Sequence, residues 1–303
     1  MKQFTPCPDD VSIMTRMKEA LVDNDMRWEV FCDYTTTFTQ IGTSQNVAEE
    51  MTEEILHLIE KTHTRADFER EKHKVLSARK AGNKPFLMAM AEGMEWRADL
   101  IVKQLRPHIL PFTLPLLEFG AWDGQVSQKI SDVCGRGVEA FDVVPFPHKD
   151  VRIPVRKYDG KRLPSPTKSY PDAIATNVLH HEYNNQVCID ELKRVTRQRI
   201  VLIETVPVGT DKQAIERDRW RTFMNDVMWN SILKKPNVGI SISGTYETPD
   251  GWIDRLEKNW WKCIHSENLG VDQKTIQDTH HLLVFDSMPH RIIHTVRQML
   301  QKL

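Results

Sequence analysis

The chain has 303 residues, of which 40% are hydrophobic and 27% charged, with a formal net charge of -1. This composition is typical of a soluble globular protein and lacks the strongly basic balance of many nucleic-acid-binding proteins. No apolar run approaches the roughly 20 residues of a membrane-spanning helix, and no apolar core of a signal peptide follows the first residues. The five cysteines are widely spaced, without a Cys-x-x-Cys pair, which indicates a reducing compartment. We therefore expect a cytoplasmic protein.

The first third of the chain has the pattern of helices. Apolar residues recur at helical spacing in Val11–Leu21, in Val47–Ile59 and in Leu87–Leu105. The strongly charged stretch 65–77 is expected to be exposed. We see no strand alternation in this region, and we predict that residues 1–108 form a helical cap or a dimerisation region.

The pattern changes from residue 109 onward, where short apolar runs alternate with polar stretches of helix length. The predicted strands are Leu114–Phe119, Val138–Val144, Asp172–Asn177, Arg199–Thr205, Trp261–Ser266 and His281–Asp286. Such an order predicts βαβ units and a mainly parallel sheet. An amphipathic helix is predicted over 211–233, inside a helical insertion over 211–247, and a closing helix over 292–303. We assign 109–303 to one α/β catalytic domain.

The turn after the first predicted strand reads Glu118-Phe-Gly120-Ala-Trp122-Asp-Gly124. Glycines allow a sharp turn and a close approach of the backbone to a ligand, and ligands of α/β sheets bind at the carboxyl ends of the strands. The spacing matches neither the dinucleotide fingerprint nor the P-loop, which disfavours pyrophosphate and triphosphate. An acid at position 118 suits a ligand that carries positive charge, such as an ammonium or a sulfonium.

Three more polar positions follow in the same series. Asp142 ends the second strand, 18 residues after Gly124, where a carboxylate can accept both hydroxyls of a ribose. Asp159 can accept a hydrogen bond from an exocyclic amine, and Asn177 ends the next predicted strand. Each feature alone also fits an ordinary turn or a solvated strand end. Their order within one βαβ series is what indicates a nucleotide-like ligand.

Residues 114–206 resemble the class I S-adenosylmethionine-dependent methyltransferases. The resemblance is to small-molecule enzymes with a Leu-His-His stretch after the fourth strand, here Leu179–His181, and with a Glu-x-x-Arg-Val helix, here Glu191–Val195. The family's first turn is acid-x-Gly-x-Gly-x-Gly, and Trp122 stands in place of the middle glycine.

The resemblance implies a fold, a cofactor and a reaction. The fold is a Rossmann-like sheet of parallel strands with an antiparallel closing strand, preceded here by the helical region. The reaction is in-line transfer of a methyl group from S-adenosyl-L-methionine, which leaves S-adenosyl-L-homocysteine. The residues implied to bind the cofactor are Glu118, Gly120, Trp122, Gly124, Asp142, Asp159 and Asn177.

The acceptor side is less specific in the sequence. His180 and His181 follow the strand expected beside the methyl group, and histidine is the natural base near neutral pH. We expect one of them to face the acceptor, with Glu204 orienting the acceptor or a histidine; a structural role for one or both histidines is the alternative. The candidate substrate-binding residues are Trp220, Met224, Tyr246, Trp252 and His281. A Met and aromatic stripe at helical spacing is more often plain core.

Other functions have weaker support in the sequence. The later histidines, among them His265 and His280, match no zinc spacing, and we predict no metal site. An RNA or protein methyltransferase would need a basic, aromatic-studded face; only an excess of Lys and Arg over 65–106 favours it. A non-catalytic S-adenosylmethionine sensor or scaffold subunit would lose the polar groups near the methyl. We expect a small-molecule acceptor, no membrane or nucleic-acid partner, and a homodimer through the N-terminal helices.

Overall fold

A computed structural model describes residues 3–7, 12–146, 148–230, 240–258 and 260–288. Five helices come first, with a small hairpin of two-residue strands between the fourth and the fifth. These elements are α1 (Ile13–Leu21), α2 (Asn24–Ile41), α3 (Gln45–Lys61), α4 (Arg65–Ser77), β1 (Lys80–Ala81), β2 (Lys84–Pro85) and α5 (Phe86–Leu105). The sequence pattern did not predict α2, because its buried face includes the polar residues Asp33, Thr35 and Thr37.

The remaining elements alternate between strands and helices. They are β3 (Leu116–Phe119), α6 (Gln125–Cys134), β4 (Val138–Asp142), β5 (Val155–Lys157), β6 (Tyr170–Thr176), α7 (Asn185–Val195), β7 (Thr196–Thr205), α8 (Lys212–Trp229), α9 (Pro249–Leu256), β8 (Trp261–Gly270) and β9 (His280–Ser287). Short 3-10 turns follow α5 at Arg106–His108 and β6 at Leu179–His181. The predicted closing helix, 292–303, lies outside the described residues.

The larger sheet has seven strands in the order β5-β4-β3-β6-β7-β9-β8. Every neighbouring pair is parallel except those that include β9, which runs antiparallel to β7 and to β8. This topology confirms the predicted fold class. The chain order reverses between β3 and β6, and such a switch point opens a crevice at the carboxyl ends of the strands.

Both faces of the sheet are covered. Alternate side chains point to opposite faces, so Leu117 packs with α7 and α9, whereas Leu116 packs with α6 and the second half of α5. The first half of α5 belongs to a third core, which α1–α4 and α8 share. The two predicted domains are therefore joined through α5 and α8. Among the described residues, no helix combines the length and apolar character that a bilayer crossing requires.

The prediction that 65–77 is exposed was wrong for one side of α4. Arg65 and Glu69 are buried as an ion pair, with Nε and Oε1 2.7 Å apart. Lys72 is buried as well, and its ammonium donates to the carbonyl oxygen of Met228 at 2.6 Å, near the end of α8. The charges are accommodated because each finds a partner, including carbonyl groups that the last turn of a helix leaves unbonded.

Candidate functional site

A cavity of about 250 Å³ lies at the carboxyl ends of β3, β4 and β6, at the switch point of the sheet. Helices α5 and α8 cover it. One part, the loop end, is lined by Glu118, Gly120, Trp122, Asp142 and Asn177. The other part, the histidine end, is lined by His180, His181, Asp226, Tyr246 and Asp278. The cavity thus brings together most of the predicted cofactor residues and the two predicted histidines.

The loop between β3 and α6 depends on its glycines. Gly120 and Gly124 have φ angles of +76° and +78°, in the left-handed region that favours glycine. A Cβ atom at Gly120 would lie 2.2 Å from Cγ2 of Val178, which is far inside van der Waals contact. Trp122, in place of the family's middle glycine, also has a positive φ of 43°. The loop therefore adopts a tight turn despite that replacement.

Asp142 fixes this loop to the end of β4. Its Oδ2 atom accepts a hydrogen bond from the backbone N–H of Trp122 at 2.8 Å, and its Oδ1 atom accepts one from the N–H of Val144 at 2.7 Å. A carboxylate offers about four lone-pair sites, so both oxygens keep the capacity to accept from a ligand. Asp142 thereby stabilises the strained turn and presents a carboxylate to the cavity.

Glu118 is a buried carboxyl group on the cavity wall, 1% exposed. Burial raises its pKa to about 8, although the hydroxyl group of Ser127, which donates to it, acts in the opposite direction. The ionised form of such a group is favoured by a nearby positive charge. A cationic ligand in the loop end would supply that charge.

Asn177 carries the clearest sign of a ligand in the loop end. Its backbone has a φ of 50°, and its N–H donates to the carbonyl oxygen of Ile203 at 2.7 Å. Both polar atoms of its side-chain amide are buried, without a partner among the described residues. A buried amide left unbonded costs free energy, and a ligand in the cavity that it lines would bond to it.

Two predicted cofactor residues do not line the cavity. Asp159 is exposed; its Oδ1 atom accepts the backbone N–H groups of Lys161 and Arg162, both at 2.9 Å, and these bonds lower its pKa. Its neighbours Tyr158 and Gly160 line the cavity instead. The second predicted cofactor residue off the cavity wall is Gly124, which shapes the loop after β3. The Asp-Gly pair thus acts as a turn signal, and the side chain of Asp159 caps that turn.

Glu204 bonds to the residues with which the histidine end begins, Val178 to His180. Its Oε1 atom accepts the backbone N–H groups of Val178 and Leu179, at 3.0 and 2.8 Å. Its Oε2 atom lies 2.6 Å from Nδ1 of His180. Glu204 is fully buried and does not line the cavity, whereas His180 does. It therefore fixes both the 3-10 turn and the orientation of the imidazole ring.

The two histidines have opposite shifts of pKa. Burial disfavours the charged form of His180, but Glu204 and then Asp226 outweigh it, and the pKa is raised. Burial lowers the pKa of His181 to about 4. Its Nδ1 atom lies 2.9 Å from the carbonyl oxygen of Ser241. Environments that separate the pKa values of neighbouring groups are typical of functional sites.

The sequence analysis missed two acids of the histidine end. Asp226 lies on α8, and its Oδ2 atom accepts a hydrogen bond from the hydroxyl group of Tyr246 at 2.7 Å. Asp278 accepts one from the side-chain amide of Asn225 at 2.8 Å, and burial raises the pKa of this acid. A signal for Asp226 exists in the sequence, because it interrupts the apolar stretch of α8.

Of the five candidate substrate-binding residues, only Tyr246 lines the cavity. Trp220 and Met224 pack in the core of the N-terminal helices, the plain-core alternative for this stripe. Trp252 packs against the sheet face that α7 covers. The Nε2 atom of His281 lies 2.8 Å from the hydroxyl group of Ser266 on the neighbouring strand β8. The apolar stripe of α8 therefore faces the N-terminal helices.

No protein-family model matches the chain, and no curated protein sequence matches it. Solved structures do. A SAM dependent methyltransferase from Aquifex aeolicus is 14% identical with a TM-score of 0.41, and the match covers 63% of this chain and 89% of that one. The magnesium protoporphyrin IX methyltransferase ChlM from Synechocystis PCC 6803 is 12% identical with a TM-score of 0.41, over 64% and 84% of the two chains.

The larger sheet has a Rossmann-like topology, parallel except at β9. A further similar structure is the [4+2]-cyclase SpnF, 12% identical with a TM-score of 0.47, over 64% of this chain and 80% of that one. All three likenesses are likenesses of fold, and a fold hosts more than one function. The activity has to be argued from the residues of the cavity.

Proposed function

We propose that the protein is an S-adenosylmethionine-dependent methyltransferase that acts on a small-molecule acceptor. The observation that carries the proposal is the single cavity at the switch point, which joins the loop end to the histidine end. When bound, the cofactor supplies a methyl group activated on a sulfonium. The chain's own residues would bind the cofactor, hold the acceptor in line and exclude water.

The loop end suits the cofactor in shape and charge. Asp142 would accept the hydroxyl groups of the ribose, and the unbonded amide of Asn177 would pair with polar atoms of the cofactor. Glu118 would attract its positively charged part, and the turn at Gly120 brings the backbone to the cavity wall. The acids on this part of the wall favour a cation over a phosphate.

The histidine end suits the acceptor. Methyl transfer requires little covalent help, and holding the two reactants in contact supplies much of the rate. We assign His180 and His181 to contacts with the acceptor and Glu204 to positioning His180. Tyr246 and Trp229 add aromatic surface to the same walls. These groups near the methyl position favour an enzyme over a non-catalytic sensor or scaffold.

The charges of the cavity favour a small molecule over a nucleic acid. Glu182, Asp226 and Asp278 line it together with the acids of the loop end, whereas Arg97 is the single Lys or Arg on the described wall. Nucleic-acid binding depends on positive groups that neutralise phosphates. The negatively charged wall repels a phosphate backbone. Methylation of RNA therefore has less support than methylation of a small acceptor.

Calorimetric titration with S-adenosylmethionine and S-adenosylhomocysteine, with NAD as a control ligand, tests the proposal. We expect 1:1 binding of the first two and none of NAD. Asp142→Ala should weaken binding by roughly 1–3 kcal/mol through the lost hydrogen bonds. Asp159→Ala is the matched control, because its carboxylate lies off the cavity and its loss should leave the affinity unchanged. A folded protein that binds neither cofactor form, or binds NAD instead, would refute the proposal.

A further inference from the structure

Three side chains of the histidine end come together from distant parts of the chain. The Oδ2 atom of Asp226 lies 3.9 Å from Nε2 of His180 and 3.9 Å from Nδ1 of His181. One ligand atom from each of the three lies within 4.8 Å of the other two. Ligands about 2.1 Å from an ion are roughly 3 Å apart when adjacent in an octahedron. Movements of about an ångström would therefore bring all three to a common ion.

The surroundings orient His180 and Asp226 as they would be oriented in a metal site. Glu204 bonds Nδ1 of His180, so the Nε2 atom of that ring is the one directed at Asp226. Histidines that bind metals usually donate their other ring N–H to a carboxylate or a carbonyl group. Tyr246 donates to the carboxylate of Asp226, which fixes the third ligand.

A carbonyl group lies beside the cluster. Nδ1 of His181 lies 2.9 Å from the backbone oxygen of Ser241, a hydrogen bond in which the ring N–H donates; an ion bound at Nδ1 would replace that proton. Ser241 also lines the cavity. If the ring of His181 binds the ion through Nδ1, this oxygen is a fourth candidate ligand, and the cavity leaves room for more.

The negative charge of the cluster also favours a bound cation. Glu204 and Asp226 are buried, and within the described ranges no Lys or Arg forms an ion pair with either of them. The nearby Arg221 is paired with Asp33 and Asp218 instead. A nearby positive charge stabilises buried carboxylates. Either a proton shared with the imidazoles or a cation can supply it.

We propose that His180, His181 and Asp226 bind a divalent transition-metal ion at the histidine end of the cavity. Two imidazoles and one carboxylate form a donor set suited to ions such as Zn²⁺, Fe²⁺ or Co²⁺ rather than to Ca²⁺ or Mg²⁺. The prediction of no metal site considered spacing along the chain. That criterion cannot detect a ligand on α8, 45 residues after His181.

Such an ion would define the acceptor, and this step rests on the proposed function. The ion would lie where the acceptor binds, with coordination positions open to the cavity. It would select acceptors with an oxygen group that can bind a metal and would favour the ionised form of that group. The two histidines would then act on the acceptor through the ion and would not act as bases.

The experiment is a titration of the chelator-treated full chain with Co²⁺, followed by visible absorption and calorimetry. We expect one tight site, weakened at least about 100-fold in His181→Ala and in Asp226→Asn and about 10–100-fold in Glu204→Gln. The control is His265→Ala, which removes a ring from the surface group of His108, His265 and Glu267 and should leave the tight site intact. Melting curves show whether each variant is folded.

The remaining outcomes separate this proposal from the proposed function. Absence of a 1:1 site, binding that persists in His181→Ala and Asp226→Asn, or binding lost in His265→Ala would overturn the metal site. Acetohydroxamate, a small oxygen chelator, should change the spectrum of the Co²⁺ protein; an unchanged spectrum would contradict the open coordination positions. Binding of S-adenosylhomocysteine by the metal-free protein is measured separately, so either proposal can fail while the other stands.

Discussion

The two ends of the cavity are built in different ways. At the loop end, neighbouring backbone groups hold the side chains, as where Asp142 accepts the N–H groups of Trp122 and Val144. At the histidine end, side chains from separate elements hold one another, as where Glu204 of β7 bonds His180. The turn after β3 therefore shapes the loop end. Packing of α8 over the sheet assembles the histidine end.

This difference predicts how each end responds to substitution. Changes in the turn after β3 should alter the turn itself and cofactor affinity together, because Gly120 and Trp122 both belong to that segment and line the cavity. Changes in the histidine end should leave the loop intact, because its partners come from elsewhere. Three substitutions test the loop end, in order of decreasing effect.

The largest effect is expected for Gly120→Ala. The new Cβ atom would meet Val178 at 2.2 Å, and alanine disfavours the φ of +76°. We expect the affinity for S-adenosylhomocysteine to fall at least about 100-fold and the protein to be destabilised by about 1–3 kcal/mol. Gly135→Ala is the matched control, since its φ is +61° but no atom lies within 4 Å of the added Cβ. Equal loss of affinity in both variants would show that backbone strain, and not contact at the loop, is responsible.

An intermediate effect is expected for Asn177→Gly. Glycine accepts the φ of 50°, so the backbone bond to Ile203 is kept while the unbonded amide is removed. We expect affinity for S-adenosylhomocysteine to fall about 10-fold, the loss of roughly one good hydrogen bond, with little change in melting temperature. If calorimetry shows unchanged affinity, the amide does not contact the cofactor.

The smallest effect concerns a proton at Glu118. Its pKa is raised to about 8, so the carboxyl is mostly protonated at pH 7, and a bound cation would ionise it. Binding of S-adenosylmethionine should then release up to about one proton. Calorimetry in buffers of different ionisation enthalpy measures this release, which Glu118→Gln should abolish. If Glu118→Gln still releases a proton on binding, the proton comes from another group.

The raised pKa of Glu118 also makes the stability of the folded protein depend on pH. A carboxyl whose pKa is higher in the folded protein stabilises the fold most below its unfolded value, about 4.5, and this contribution is lost as the pH rises through about 8. We expect the melting temperature of the wild type to decrease between pH 7 and 9. The decrease should be smaller in Glu118→Gln. Equal slopes in the two proteins would contradict the raised pKa.

Sequence reasoning located the sheet and much of the loop end because both depend on local patterns. Short apolar runs with turns between them indicate which residues form the strands of a parallel sheet, and Gly120 has a positive φ that its own turn requires. Strand β5 was missed because its three residues are at most half-buried and leave no apolar run. Asp159 could not be placed from the sequence, because an Asp-Gly pair fits both a ligand contact and a turn; the structure places its carboxylate on the turn, off the cavity wall.

The histidine end could be predicted only in part. His180 and His181 follow β6 directly, and Glu204 ends the adjacent strand, so parallel pairing brings them near each other. Asp226 depends on which face of α8 turns towards the sheet. That choice depends on the core of the N-terminal helices, where Met224 is buried. The sequence therefore marks Asp226 as a break in the apolar stretch without placing it beside the histidines.

A crystal structure with S-adenosylhomocysteine bound would test the central claim most directly. We predict that the ribose hydroxyl groups bond to Asp142, that the amide of Asn177 pairs with the ligand, and that the sulfur faces His180 and His181. A ligand seated elsewhere, with the loop end empty, would contradict the account.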